Sequence, residues 1–157
     1  MDNKKLLDTI GRKILGALQA DARLSFAELG RTVNLSPPAV AERVRRMEEA
    51  GIITGYHAAV NLEEIGLPVA AFVRMQVPAE RYPRLIALAT KLPEVLECHH
   101  VSGSDSFILK VVVPSIPHLE ELISRLSAYG STMTSIVLSS PVRKHEVEGA
   151  DDRALSG

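Results

Sequence analysis

Apolar residues recur at spacings of three and four along the first fifty or so positions of the chain. In residues 6–18 this spacing predicts an amphipathic helix with one buried face. Ser25 and Glu28 then form a capping-box pattern, in which each side chain accepts a hydrogen bond from the other residue's backbone amide. The pattern predicts a short second helix over residues 26–33.

A turn and a third helix follow directly. Asn34 suits a turn position with positive φ. Ser36 supplies an N-cap and Pro37 occupies the first helical position, where a missing N–H costs nothing. We therefore expect a third helix over residues 37–50, ended by Gly51 as the glycine that follows the C-cap.

The three helices and the turn between the second and third match a helix-turn-helix, whose third helix enters the DNA major groove. Residues 52–60 then have the composition of extended chain with a glycine turn inside it, which is typical of a wing. We predict a winged helix-turn-helix domain over residues 1–60.

Strand and helix patterns alternate in the rest of the chain. Strands are predicted at residues 69–77, 95–101, 107–113 and 133–138, with helices at 82–92 and 118–126. This βαββαβ order is that of a ferredoxin-like domain, so the predicted fold class is α+β. The predicted domains are a linker at 61–68, the ferredoxin-like domain at 69–140 and a charged, mobile tail at 141–157.

A single ferredoxin-like sheet carries helices on one face and leaves the other face to be covered. A second copy of the chain is the economical cover. We therefore expect a homodimer, or a higher even oligomer such as an octamer, with residues 69–140 as the oligomerisation domain.

Composition and charge narrow the function classes. The 157 residues are 46% hydrophobic, with a formal net charge of -1. Residues 1–60 carry nine Lys/Arg against seven Asp/Glu, so the N-terminal part of the chain is modestly basic and the remainder is acidic. No stretch has the pattern of a secretory signal or a membrane span, and the single cysteine, Cys98, is too little for a zinc site. We expect a cytoplasmic protein without metal or cofactor and without a membrane partner.

The third helix carries the candidate chemistry. A helical projection turns Val40, Val44 and Met47 toward the core and a small, cationic surface outward. Arginine suits a guanine edge or a phosphate, Ser36 can reach a phosphate, and small residues allow close approach to the groove. The predicted DNA-binding residues are Ser36, Pro38, Ala39, Glu42, Arg43, Arg45 and Arg46, with Arg43 on the flank, where it suits phosphate.

The alternative reading of this helix is a solvated charged face. Arg43, Arg45 and Arg46 are spaced to pair with Glu42, Glu48 and Glu49, which is a common arrangement on exposed helices. From the residues alone, this interpretation and DNA binding remain equally open.

Ordered runs across the first fifty-six residues resemble the Lrp/AsnC family of feast/famine transcriptional regulators. The runs are LQADAR at 18–23, LSP at 35–37, RVRRME at 43–48 and GIITGY at 51–56. The resemblance implies a helix-turn-helix over residues 26–45 and a βαββαβ module that forms dimers and larger rings. It implies a transcriptional regulator that binds double-stranded DNA, either at specific sequences or broadly as an architectural protein.

The family also binds an amino-acid effector with a loop between the second and third strands of that module, commonly Gly-Asp-Tyr-Asp. The matching residues here are Gly103, Ser104, Asp105 and Ser106, so two serines replace the acids and Asp105 stands at the tyrosine position. These four residues are the candidate effector site, for a free amino acid whose ammonium would meet Asp105. The alternative is a tight turn, rich in Ser and Gly for geometric reasons alone.

Catalysis has no support in the sequence. We find no nucleophile beside a base, no paired carboxylates and no phosphate loop, so the chain is not expected to be an enzyme. His99 and His100 point to opposite faces of a strand and are not expected to chelate one ion. The remaining alternative is a ferredoxin-like ligand-binding protein or enzyme whose N-terminal helices do not bind DNA.

Overall fold

Three helices form the first of the two compact units into which the chain divides. The structure is a computed structural model that describes residues 6–144 and 146–147. The helices are α1 (Thr9–Ala20), α2 (Phe26–Val33) and α3 (Pro37–Glu49). Their shared core contains Ile14, Leu18, Leu29, Val33, Val40 and Val44. The predicted order of three helices is confirmed.

Local capping sets where the first two helices begin. The Asp8 carboxylate accepts a hydrogen bond from the Gly11 amide at 2.7 Å, so α1 begins at Thr9, three residues later than the apolar pattern predicts. Before α2, the Ser25 hydroxyl accepts from the Glu28 amide at 3.2 Å and the Glu28 carboxylate accepts from the Ser25 amide at 2.7 Å. The predicted capping box is therefore present.

The turn between α2 and α3 is short and left-handed. Asn34 adopts φ 57°, and the next residue, Leu35, donates its amide to the Gly30 carbonyl at 2.9 Å. α3 then begins at Pro37 and ends before Gly51, whose φ of 68° suits glycine. The turn chemistry predicted from the sequence is confirmed at each of these positions.

The expected wing differs from the prediction. Residues 52–60 contain no strand, and the amides of Ile52 and Ile53 instead donate to the Met47 carbonyl of α3 at 2.9 and 3.2 Å. The Tyr56 hydroxyl also donates to the Glu48 carboxylate at 2.8 Å. This part of the chain is an irregular connection tied to α3 by two backbone amides and one side chain.

The second unit is the predicted ferredoxin-like βαββαβ fold. Its elements are β1 (Val69–Gln76), α4 (Tyr82–Lys91), β2 (Val95–His100), β3 (Phe107–Val113), α5 (Ile116–Ser127) and β4 (Ser131–Ile136), with one 3₁₀ turn at Ala79–Arg81. The four strands are antiparallel in the order β2-β3-β1-β4. The fold class inferred from the sequence is confirmed.

Two boundaries in this unit lie earlier than predicted. Ser115 caps α5 by accepting from the His118 amide at 3.4 Å, so the helix begins at Ile116. β4 begins at Ser131 because Gly130 lies against the Gln76 carbonyl, where a β-carbon would collide with the backbone. A local cap and a close backbone approach therefore decide these ends.

Alternation along the strands separates two faces of the sheet. One face packs under α4 and α5 and contributes the buried core residues Val73, Met75, Phe107, Leu109 and Val111. We call the other surface the open face. It carries Phe72, Arg74, Glu97, His99, Lys110 and Met133. No helix of the described residues covers this second surface.

A short part of the C-terminal segment belongs to the first unit. Gln19 of α1 donates its side-chain amide to the Val147 carbonyl at 3.1 Å and accepts from the Val147 amide at 2.8 Å. The other residues of the tail predicted to be mobile, 145 and 148–157, lie outside the described residues.

Candidate nucleic-acid interface and ligand loop

α3 has one buried face and one outward face, as its helical projection predicts. Val40, Val44 and Met47 are 0%, 3% and 0% exposed. Of the predicted interface residues, Ser36, Pro38, Arg45 and Arg46 are exposed, and Ala39, Glu42 and Arg43 are half-buried. The structure thus places the predicted DNA-binding residues on one helix and its N-terminal turn.

The first turn of α3 is poor in backbone donors. Pro37 and Pro38 lack N–H groups, so the first backbone donor of the helix belongs to Ala39. Ser36 occupies the N-cap position, but its hydroxyl makes no capping hydrogen bond. The hydroxyl of Ser36 and the amide of Ala39 are therefore the donors that this end of the helix can offer to a phosphate.

Glu42 lies at the centre of an ion-pair network on the outward face. Its carboxylate accepts from Arg45 Nε at 2.9 Å, Arg45 Nη2 at 2.8 Å and Arg46 Nε at 2.8 Å. Arg45 also pairs with Glu49. Two of the pairs that the alternative reading expects are therefore formed at Glu42, and a third is formed at Glu49.

These contacts shift the pKa values of Glu42 and Arg45. Hydrogen bonds from Arg45 and Arg46 lower the pKa of Glu42 to about 2, and the carboxylate of Glu42 raises the pKa of Arg45. Both side chains are thus charged at every physiological pH. Because exposed ion pairs in water are weak, the pairing leaves both arginines free to exchange Glu42 for a DNA partner.

Arg43 has a different partner from the one its position suggests. Its guanidinium donates to both carboxylate oxygens of Asp8 at 2.9 Å, which joins α3 to the residue that caps α1. The Arg43 contact lowers the pKa of Asp8. Sequence reasoning missed this pair, because the two residues are 35 positions apart. Arg43 is held at the flank of the outward face by this contact.

Glu48 also departs from the expected charged face. It accepts from the Tyr56 hydroxyl, and burial followed by this hydrogen bond raises the pKa of Tyr56 to about 12. The phenol therefore stays protonated at neutral pH. Glu48 holds the chain that leaves α3, while Glu42 and Glu49 hold the exposed arginines.

The candidate effector loop lies between β2 and β3 at the end of the sheet. It borders an open concavity of about 640 Å³. The concavity is lined by His100, Val101, Ser102, Gly103, Ser104, Asp105 and Ile108. Gly103 has φ 119°, a conformation that favours glycine, and Ser104 is exposed. The loop therefore brings three of the four predicted residues to one cavity.

Ser106 is the predicted loop residue that the structure does not bring there. Its hydroxyl donates to the Val77 carbonyl and accepts from the Val77 amide, both at 3.2 Å. Its own amide donates to the Met75 carbonyl at 2.7 Å. Ser106 ties the loop to the end of β1 rather than offering its hydroxyl to a ligand.

Arg74 is a residue of this region that the sequence reasoning missed. Its guanidinium lies 4.0 Å from the Asp105 carboxylate and also contacts the Met133 sulfur. The Nε atom is buried and has no partner among the described residues. A charged residue within the otherwise apolar run of β1 is the signal that marks it. Arg74 places a positive charge beside the one acid of the loop.

Two family models cover most of the chain. The AsnC-type helix-turn-helix domain matches residues 7–48, and the Lrp/AsnC ligand binding domain matches residues 70–147. The HTH-type transcriptional regulator LrpC of Bacillus subtilis is 38% identical over 133 residues, which are 85% of this chain and 92% of LrpC. The chain belongs to the Lrp/AsnC family of transcriptional regulators. The resemblance noted in the sequence is confirmed.

Other Lrp/AsnC proteins agree in sequence and in structure. The regulatory protein AsnC of Escherichia coli K12 is 35% identical over 88% of this chain and 95% of its own length. The structure of B. subtilis LrpC has a TM-score of 0.84, at 37% identity over 88% of this chain and 99% of LrpC. Regulator NMB0573 of Neisseria meningitidis, solved in complex with L-Met, has a TM-score of 0.84 at 28% identity, over 94% and 99% of the two chains.

Other candidate sites from the sequence have structural roles. His100 packs its ring 5.1 Å from that of Tyr82 and 5.0 Å from that of Phe107, whereas His99 pairs with Glu97 on the open face. The two histidines therefore diverge as predicted. Cys98 is half-buried, and burial raises the pKa of its thiol. Residues 6–144 and 146–147 contain no cluster of three potential metal ligands and no helix able to span a membrane.

Proposed function

We propose that this Lrp/AsnC regulator binds double-stranded DNA by placing α3 in the major groove, with Arg45 and Arg46 as its principal contacts. The observation that carries the proposal is the position of these two exposed guanidinium groups on a helix whose opposite face is fully buried. A rigid helix presents them together, and arginine matches both guanine edges and phosphates.

The remaining interface residues have supporting roles in this proposal. The Ser36 hydroxyl and the Ala39 amide donate to a phosphate near the start of α3, and Pro38 contributes a small apolar surface. Arg43 faces the flanking phosphates while Asp8 holds it in place. Glu42 accepts hydrogen bonds from both arginines.

We also propose a cytoplasmic location, because a bacterial type of transcriptional regulator acts in the compartment that contains the DNA.

A DNA titration tests the proposal. We expect fluorescence anisotropy to show binding to a labelled duplex that weakens as salt rises, because arginine contacts release counterions from the phosphates. The duplexes are the region upstream of the protein's own gene and an unrelated sequence of equal length. Salt-independent binding, or none at low micromolar protein, would contradict the proposal.

We also propose that the chain assembles as a dimer or higher even oligomer through the open face of the sheet. Phe72 and Met133 are 42% and 59% exposed there, beside the Glu97 and Lys110 ion pair at 2.7 Å. A second copy would cover these apolar side chains and pair two recognition helices for half-sites one turn of DNA apart. Sedimentation velocity at micromolar protein should show a dimer or larger species; a monomer would exclude this arrangement.

An amino acid is the effector that we propose for the concavity beside the loop. Asp105 offers a carboxylate to the ligand's ammonium, and the Ser102 and Ser104 hydroxyls with nearby backbone amides offer donors to its carboxylate. The ligand binding domain match and the L-Met complex of the Neisseria relative support this assignment. In the same titration, one amino acid should shift DNA affinity, and Asp105→Asn should abolish that shift while basal DNA binding remains.

A further inference from the structure

Glu42 is a shared partner for the two arginines to which we assign DNA contact. Its Oε1 atom accepts from both Arg45 Nη2 and Arg46 Nε at 2.8 Å, and its Oε2 atom accepts from Arg45 Nε at 2.9 Å. One carboxylate therefore contacts two guanidinium groups on the outward face of α3. The DNA-binding assignment of the arginines does not itself explain why an acid stands between them.

The charge on α3 is balanced. Residues 37–49 contain three arginines and three glutamates. A helix that bound phosphates alone would gain from an excess of arginine, because nucleic-acid affinity rises with each neutralised phosphate. The balanced charge of α3 instead limits its attraction for an arbitrary duplex, and the acid nearest to both exposed arginines is Glu42.

The free energy lost with the Glu42 contacts is compensated to a different extent on DNA of different sequence. At an arbitrary site, each arginine exchanges a carboxylate for a phosphate, and the freed carboxylate is left close to the negative backbone. At a site with guanine in reach, an arginine gains a bidentate contact to the base edge. A carboxylate beside it can also accept from the amino group of a neighbouring cytosine. The cost of breaking the Glu42 contacts therefore weakens binding mainly to sequences that lack these guanine and cytosine edges.

We propose that Glu42 is a specificity-determining residue, which holds Arg45 and Arg46 and weakens their binding to DNA that lacks the matching bases. This inference rests on the proposed role of α3 in DNA binding. The DNA feature it selects is a major-groove pattern of guanine acceptors next to a cytosine donor. Glu42 then serves to separate the right duplex from the wrong one rather than to increase affinity.

The test compares Glu42→Gln with the unchanged full-length chain. Glutamine keeps the size and one acceptor oxygen but removes the charge. The preferred duplex is obtained by in vitro selection from a randomised pool, and the pool itself is the non-specific competitor. We expect affinity for the pool to rise roughly two- to fivefold, as for the loss of one exposed ion-pair partner. Affinity for the selected duplex should change less, so the ratio between the two falls.

Two matched variants separate position from total charge. Glu49→Gln removes an acid that contacts only Arg45 and should have a smaller effect. Glu120→Gln removes an exposed acid of the second unit and should leave the ratio unchanged. The salt dependence on the pool should steepen by about one unit of slope for Glu42→Gln alone. Circular dichroism confirms that each variant keeps its helix content.

The outcomes distinguish this inference from the function on which it rests. An unchanged ratio for Glu42→Gln, an equal effect of Glu120→Gln, or a selection that yields no preferred sequence would each overturn the role of Glu42. Unchanged binding in both Arg45→Ala and Arg46→Ala would overturn the assignment of α3, and the inference with it. If the arginine variants bind more weakly but Glu42→Gln keeps the ratio of selected to random affinity, the role of Glu42 is overturned and the DNA-binding role of α3 stands.

Discussion

Replacing Arg45 or Arg46 by alanine should weaken DNA binding by roughly 5- to 150-fold if the lost contact is to a base edge. The reason is geometric, since both guanidinium groups project from the outward face of α3 while the buried face is packed into the core of the first unit. A phosphate contact would instead weaken all duplexes alike and reduce the salt slope by about one. Fluorescence anisotropy on selected and random duplexes distinguishes the two kinds of contact.

Arg125→Ala is the matched control for these variants. It removes one exposed arginine from α5 in the second unit and leaves α3 intact. We expect its DNA affinity to stay close to that of the unchanged chain. If either α3 variant binds as tightly as Arg125→Ala, the corresponding arginine does not contact DNA. It is then a solvated side chain that pairs with Glu42, as in the alternative interpretation. The control thus separates a contact with DNA from the general effect of losing one positive charge.

The sequence predicts local structure well because local contacts determine it. The capping box of Ser25 and Glu28, the left-handed turn at Asn34 and the glycine after α3 each depend on residues within a few positions. The core face of α3 follows from the period of the helix alone. The strand order also follows, since a βαββαβ pattern leaves few ways to pair four short strands.

Contacts between distant positions could not be predicted in the same way. Arg43 has three acids nearby in sequence, yet it pairs with Asp8, because the packing of α1 against α3 brings that carboxylate closer. Arg74 and Asp105 lie on different elements, and only the register of β1 with β3 brings them together. A motif identifies side chains with suitable chemistry, and the tertiary fold decides which of them remain available.

The wing predicted over residues 52–60 is wrong for a different reason. Residues 52–60 have the composition of extended chain, but a strand needs a partner backbone, and the described residues of the first unit provide none. The segment is held to α3 by the Ile52 and Ile53 amides, which donate to the Met47 carbonyl, and by the Tyr56 hydroxyl, which donates to Glu48. Composition therefore does not predict whether a segment finds a partner strand.

The second large effect is expected at Gly30, on which the turn of the helix-turn-helix packs. A β-carbon at Gly30 would lie 2.5 Å from the Leu35 carbonyl oxygen, and the same turn is closed by the hydrogen bond from the Leu35 amide to the Gly30 carbonyl. Because backbone must move to relieve this contact, Gly30→Ala should destabilise the first unit by about 1–3 kcal/mol. Hydrogen exchange of the α2 and α3 amides measures this, since it reports on one unit by itself.

Gly16→Ala makes the same chemical change where space is available. Gly16 lies within α1, and a β-carbon there would meet nothing within 4 Å, so alanine should leave the unit unchanged or stabilise it by up to about 1 kcal/mol. Opposite signs for the two variants would show that the close approach of the turn, and not helix propensity, requires glycine at position 30. DNA affinity should fall with Gly30→Ala, because the turn sets the direction of α3 and its arginines. Equal protection and equal affinity in both variants would mean that the turn yields without moving α3, and the groove-facing helix would then be less rigid than its packing indicates.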